Sequence, residues 1–289
     1  MKKLEITHIT RYSYTDTAQD SVNEVRLTPL TDNRQACYHH AITTEPASAF
    51  FTYSDFFHNR VHAFTVNKLH RELTIKMVST VVTNDNDNIP SNVASPFEEK
   101  TMRLSDDFQN QHAEYLLPTS YTGLTPELKA YSDAISDQNI RLYELLRTIY
   151  TTIHRDFTYD PSATSVQTTV GEMLQFKRGV CQDYSHFMIA ICRDKGIPAR
   201  YVSGYHFVGD LQGGSTEFTQ ASHAWVECLI PGTGWFGYDP TNNCEVNWRY
   251  VKLGHGRDYN DIVPVKGVYR GAGQQDLEVI VDVKLIENS

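Results

Sequence analysis

The hydrophobic period of this chain changes from two residues to 3.6 and back again, and that switch limits the folds open to it. Up to about residue 85, "LEITHITRYSY", "NEVRLTPL", "CYHHAITTEP" and "RVHAFTVNKLHRELTIKMVSTVVT" carry β-branched and aromatic residues in alternating stretches. Such runs read as half-buried strands. "DFFHNRVHAF" reads as two of them meeting at a tight His58-Asn59 turn. From Pro126 the spacing differs. In "NIRLYELLRTIYTTIHRDF", Leu142, Leu145, Leu146, Ile149, Tyr150 and Ile153 recur three and four apart, one buried helical stripe. "TVGEMLQF" offers Thr169 with Glu172 three later, the spacing of a capping box. Residues 197–285 return to strands in "IPARYVSGYHFV", "SHAWVECLI", "GWFGYDP" and "LEVIVDVKLI". The Asn-, Asp-, Ser- and Pro-rich stretch 83–99 favours turns and marks a boundary. The expected class is α+β: a β-rich, sandwich-like N-terminal domain over 1–90, a linker and connecting segment over 91–125, and a core over 126–289 with helices packed on an antiparallel sheet, the C-terminal strands included.

Charge and cysteine usage narrow the function. A formal charge of −9 with no Lys/Arg run gives no footprint for nucleic acid. No apolar stretch is long enough to cross a bilayer, and "MKKLEITHITRYSY" lacks the apolar region of a signal peptide, so no membrane partner and a cytoplasmic location are expected. The five cysteines, at 37, 181, 192, 228 and 244, form neither a disulfide framework nor the paired spacing of structural zinc. Six histidines fall within the first 70 residues, at irregular spacing that suits solvated strand faces better than a metal site. No metal and no cofactor is expected, and nothing fixes an oligomeric state.

The chemistry concentrates at "RGVCQDYSH". Tyr184, Phe187, Met188, Ile191 and Cys192 form a helical stripe that Gly196 and Pro198 end. Cys181 therefore sits in the first turn, facing inward, with Gly179 leaving room for a sharp entry. The first-turn amides and the positive end of the helix dipole favour an anion there, and thiols in such settings lose their proton more readily. A base and an orienting group are available downstream. His223 opens one strand, Asp239 ends the next, and "PGTG" is a natural hairpin between them. Both are odd-numbered, so alternation can put them on one sheet face as diagonal cross-strand neighbours.

The stretches "GVCQDYSHFMIAICRDKGIPARYVSGY", "ASHAWVECLIPGTGWFGYDPTN" and "GRDYNDIVPVKGVYRG" resemble the bacterial transglutaminase-like proteins, often described as cysteine proteases with a β-rich region ahead of a papain-like core. The resemblance implies Cys181 as nucleophile, His223 as general base and acid, and Asp239 as its orienter. It implies the Cys181 backbone amide as one oxyanion donor, with Tyr159 of "DFTYDP" as the candidate for a second. Trp225 and Tyr238, flanking the triad positions, are candidates for a substrate groove. The implied partner is a peptide or protein substrate and the implied activity thiol-dependent acyl transfer, with hydrolysis favoured over crosslinking. "NWRYVKLGHGRDY" departs from the family where an aspartate-histidine pair is expected near 248.

Each feature also has a plainer reading. A lone cysteine is usually a small core hydrophobe, and Cys37, Cys192, Cys228 and Cys244 are read so. His186, five residues beyond Cys181, points away from it and reads as structural. An idle binding module on the same fold, and a metal site from Cys181, His223 and Cys244, are the rival functions. No Dx[DN]xDG loop supports a calcium-gated crosslinker. "VGDLQGGSTEFTQ" (208–220) is expected to act as a flap over the site.

Overall fold

The computed structural model describes residues 1–85, 94–135, 140–162, 167–209, 222–271 and 273–288. Five strands come first: β1 (Lys2–Val25), β2 (Gln35–Glu45), β3 (Phe50–Ser54), β4 (Arg60–Val66) and β5 (His70–Thr83). β1 is the spine. Its first half lies beside β5 and its last residues beside β4, giving the order β2-β5-β1-β4-β3. Alternation buries Leu4, Ile6, Leu73, Ile75, Met77 and Val81, which meet Phe64 and Val66 in one core. The β3–β4 hairpin turns at residues 55–59, where Asp55 Oδ1 accepts the Phe57 and Asn59 N–H groups and His58 takes a left-handed φ of 63°.

The helices follow: α1 (Pro96–Arg103), α2 (Asp106–Gln111), α3 (Pro126–Asp133), α4 (Leu142–Asp156), α5 (Val170–Phe176) and α6 (Cys181–Asp194), with two short strands between, β6 (Thr158–Tyr159) and β7 (Arg178–Gly179). All six residues of the expected α4 stripe are buried. The Thr169–Glu172 capping box caps α5. α6 is buried on nearly every side, beyond the single stripe expected of it. It runs through the centre, with α3, α4 and α5 on one flank and the sheet on the other. That sheet contains β8 (Ala199–His206), β9 (Ser222–Ile230), β10 (Gly234–Asp239), β11 (Cys244–Glu245) and β12 (Tyr250–Gly256), in the order β11-β10-β9-β8-β12.

Two segments differ from their expected places. The described part of the 91–125 connector packs on the core: Glu99 accepts the Leu142 N–H, and Arg193 reaches the Tyr115 and Leu117 carbonyls. β13 (Val265–Arg270) and β14 (Gln275–Asn288), expected with the core, pair with β1 instead. Alternation marks a strand but not its partner, and here the open side of β1 takes both.

The N-terminal domain also seals the edge of the core sheet. β12 would expose unpaired backbone groups there. Gln35 donates to the Lys252 carbonyl at 2.8 Å and accepts its N–H at 2.7 Å. Asn59 does the same at His255, at 2.8 and 2.9 Å. Two side-chain amides thus act as a strand would.

Several histidines are folded in as neutral rings. His8 sits between Tyr205 and Thr10, and Thr28 bridges His40 and His62. Burial lowers His8 and His40 to about 4, and His186 and His255 to about 3. An imidazole whose folded value lies below its unfolded 6.5 costs nothing above pH 6.5. Below it the unfolded state takes up protons that the folded state refuses. Stability is therefore expected to fall from pH 6.5 towards pH 4, by about 1 kcal/mol per pH unit for each buried ring such as His8 and by less for the partly exposed His40. Urea midpoints measured across that window test this; a flat profile contradicts it.

Candidate active site

The site forms where α6 begins beside the start of β9. Val180 caps α6, and its N–H donates to the Asp183 carboxylate at 2.8 Å. A Cβ on Gly179 would lie 2.8 Å from Asp183 atoms, so the entry to the helix requires glycine. Cys181 is the first helical residue, half-buried, and its N–H has no intrahelical acceptor. Parallel pairing of β6 with β7 sets Tyr159 against Gly179. Tyr159 remains 47% exposed, and its pKa is raised by burial and then by Cys181 and Asp183.

His223 and Asp239 meet as the hairpin arithmetic allows. Gly234 pairs with Ile230 and Tyr238 with Val226, a register that carries Asp239 diagonally across from His223. His223 Nε2 donates to Asp239 Oδ2 at 2.6 Å. Asp239 is fully buried, and four further donors converge on it. Tyr250 OH and Asn242 Nδ2 reach Oδ2, each at 2.7 Å; the Thr241 and Asn242 N–H groups reach Oδ1 at 2.9 and 3.1 Å. Burial alone would raise this carboxyl, but the His223 charge and these hydrogen bonds hold it well below the usual range. For His223, burial pulls the other way from Asp239 and the hydrogen-bonding Cys181, which together raise it to about 10. Burial, then the Asp239 charge, keeps the Tyr250 proton on its phenol. His206 stacks on Tyr250 at 4.4 Å, and burial lowers it to about 4.

Cys181, His223 and Asp239 are thus brought together, and Tyr159 lies beside them. The groove candidates are not there. Trp225 and Tyr238 are each 1% exposed. Trp225 packs with Val202, Val246 and Tyr250, and Tyr238 points into the helical core beside Tyr150. Both are packing residues, because each strand face at these positions is covered. His186 is structural as expected: it accepts the Tyr259 N–H at 3.1 Å and stacks on Tyr121. Of the expected flap, residues 210–220 lie outside the described residues.

Tyr250 and Asn242 are the functional partners missed from sequence. "DPTN" after Asp239 carried a usable signal, since Asp side chains close turns on the N–H groups two and three residues ahead. Nothing local announced Tyr250. It belongs to the "NWRYVKLGHGRDY" segment, which supplies the phenol to Asp239 and packs Trp248 against Phe207. Among the described residues, no cluster of three His, Cys, Asp or Glu side chains is arranged to hold a metal, and no helix is long and apolar enough to cross a membrane.

Known proteins share this arrangement of domains. Residues 129–240 match the Transglutaminase-like superfamily, and residues 4–82 the Bacterial transglutaminase-like N-terminal region. An uncharacterized protein of Mycobacterium leprae is 35% identical over 284 residues, spanning 98% of this chain and 99% of its own. One from Mycobacterium tuberculosis is 32% identical over 290 residues, spanning 97% and 92%. The crystal structure of a putative cysteine protease from Cytophaga hutchinsonii has the same fold, with a TM-score of 0.77 at 20% identity over 100% of this chain and 92% of that one. With relatives alike over nearly its full length, this chain belongs to the transglutaminase-like superfamily and carries the bacterial N-terminal region of that family.

Proposed function

We propose that the protein is a thiol-dependent acyl-transfer enzyme acting on a peptide, isopeptide or glutamine amide. The observation that carries this reading is the position of His223, hydrogen-bonded to buried Asp239 through Nε2 and in hydrogen-bonding reach of Cys181. With Nε2 committed to Asp239, Nδ1 is the nitrogen that exchanges a proton with the thiol. The Cys181 sulfur, having given its proton to His223, attacks the amide carbon. The C–N bond breaks, His223 returns the proton to the departing amine, and a thioester remains. Water completes hydrolysis as His223 takes its proton and the thiolate leaves. An amine in place of water would complete transamidation.

The Cys181 N–H, at the positive end of α6, and the Tyr159 hydroxyl are the proposed donors to the oxyanion. Hydrolysis is the favoured outcome, in keeping with the name of cysteine protease given to the Cytophaga hutchinsonii protein of the same fold.

The test is the rate of Cys181 alkylation by iodoacetamide, resolved by site, from acid to alkaline pH. In the wild type, labelling at neutral pH is expected to be fast, with His223→Ala slowing it roughly tenfold and leaving a rate that climbs steadily into alkali. Identical profiles in the two proteins would mean that the thiol is not coupled to His223. The idle-module reading would then replace this one.

A further inference from the structure

We infer that β14 is a self-association surface, on which two copies of this chain pair antiparallel, edge to edge, about a two-fold axis at Val281. β14 is the free edge of the β2-β5-β1-β14 half-sheet: among the described residues it pairs with β1 alone. Its regular stretch is long and apolar. Leu277, Val279 and Ile280 are 57%, 43% and 44% exposed. An edge of this kind is a template for another strand unless something blunts it. The opposite edge, β2, is blunted by a register irregularity between Cys37 and His39 and by Pro46 beyond its end. On β14 the pairing with β1 is regular from Gln275 to Leu285 and breaks only at Ile286.

The sequence "LEVIVDVKL" (277–285) selects a second copy as the occupant, because it complements itself in one register. With Val281 on the axis, Leu277 meets Leu285 and Val279 meets Val283 on the face that packs towards the domain core. On the outer face, Glu278 of one copy meets Lys284 of the other, twice. Neighbouring registers that keep the same face inward are worse. Centring on residue 280 sets Glu278 against Asp282, and centring on 282 sets Asp282 against itself. Centring on 279 opposes Asp276 and Asp282, and centring on 283 runs past the break at Ile286. Opposite charges across a strand pair stabilise it, and like charges destabilise it. A shared patch related by a two-fold axis closes into a dimer and leaves no edge for further growth.

Sedimentation velocity of the full chain across micromolar concentrations tests the inference. The wild type is expected to dimerise. Lys284→Glu and Glu278→Lys should each weaken the dimer roughly tenfold, since each sets two like-charge pairs face to face, and the double exchange should restore it. Each exchange also removes an ion pair within the chain, Glu278 with Arg11 or Lys284 with Asp282. Both side chains are exposed and such surface pairs contribute little, so folding, followed by circular dichroism, should change little. Val281→Cys should crosslink to its own copy under mild oxidant, at a site that mass spectrometry separates from the native cysteines. A wild type that stays monomeric, or a dimer indifferent to the charge exchange, overturns the inference. So does an edge that binds an added extended peptide but never a second copy.

Discussion

Asp239→Ala is expected to remove nearly all thiol-dependent activity, by roughly 10³- to 10⁴-fold, the scale seen when the acidic member of a nucleophile–base–acid triad is lost. His223 is held at about 10 against a burial that pulls it down. Without the carboxylate, burial prevails and the ring is neutral at pH 7, so it can no longer stabilise a thiolate beside it. Iodoacetamide labelling of Cys181 at neutral pH should then fall to the His223→Ala rate.

Asp239→Asn should be nearly as damaging. Five donors point at this carboxylate, and an amide would turn its NH₂ towards at least one of them, leaving buried donors unpaired. The same pair contributes stability with a definite pH sign. A histidine raised above its unfolded 6.5 stabilises fully below that value, and the contribution is lost as pH rises towards about 10. That alkaline loss should be present in the wild type and absent in Asp239→Ala. If Asp239→Asn keeps wild-type labelling and midpoint, the carboxylate is not required.

What could be read from sequence followed range of interaction. The α4 stripe, the α5 capping box, the β9–β10 hairpin and the placing of His223 and Asp239, 16 residues apart, on one face all rest on near neighbours in the chain, within one element or across one tight turn. The period of an element does not name its partner, so β13 and β14 could be seen as strands while their pairing with β1 could not. The same limit hid Tyr250: its hydrogen bond to Asp239 crosses from β12, at one edge of the five-stranded sheet, over β8 and β9 to the end of β10. Trp225 and Tyr238 show a different limit. Sequence gives the alternation of a strand and no more. It does not say that Tyr238 faces α6 and the helical core while Trp225, on the other face, is closed over by Val246 and Tyr250 beside the seam with the N-terminal domain.

That seam bears the second large expected effect. Glu227 lies four residues along β9 from His223, on the same face, and is buried between two cations. Lys252 Nζ sits 2.8 and 2.9 Å from its two oxygens, and Arg200 donates through Nε at 2.8 Å while its guanidinium stacks on Trp235. Burial would raise the Glu227 carboxyl, but Lys252 and then Arg200 hold it far below its usual range. Burial also pulls Lys252 down in spite of Glu227. The cluster joins the domains, since Lys252 is the residue whose backbone Gln35 grips.

Glu227→Gln leaves two buried cations facing each other, and removing one partner from such a group costs about 3–5 kcal/mol. Urea unfolding should show that loss. Adding Lys252→Met should recover part of it, because one stranded charge is then gone while Arg200 keeps its stacking on Trp235. The pH sign is that of a depressed acid: the contribution is present above about 4.5 and lost as pH falls below it, so the wild type and Glu227→Gln should converge in acid. A change within about 1 kcal/mol for Glu227→Gln would mean that water reaches the seam and screens it. The folded fraction of Glu227→Gln should still label Cys181 at the wild-type rate, because the ion cluster holds the domains together without touching His223 or Asp239.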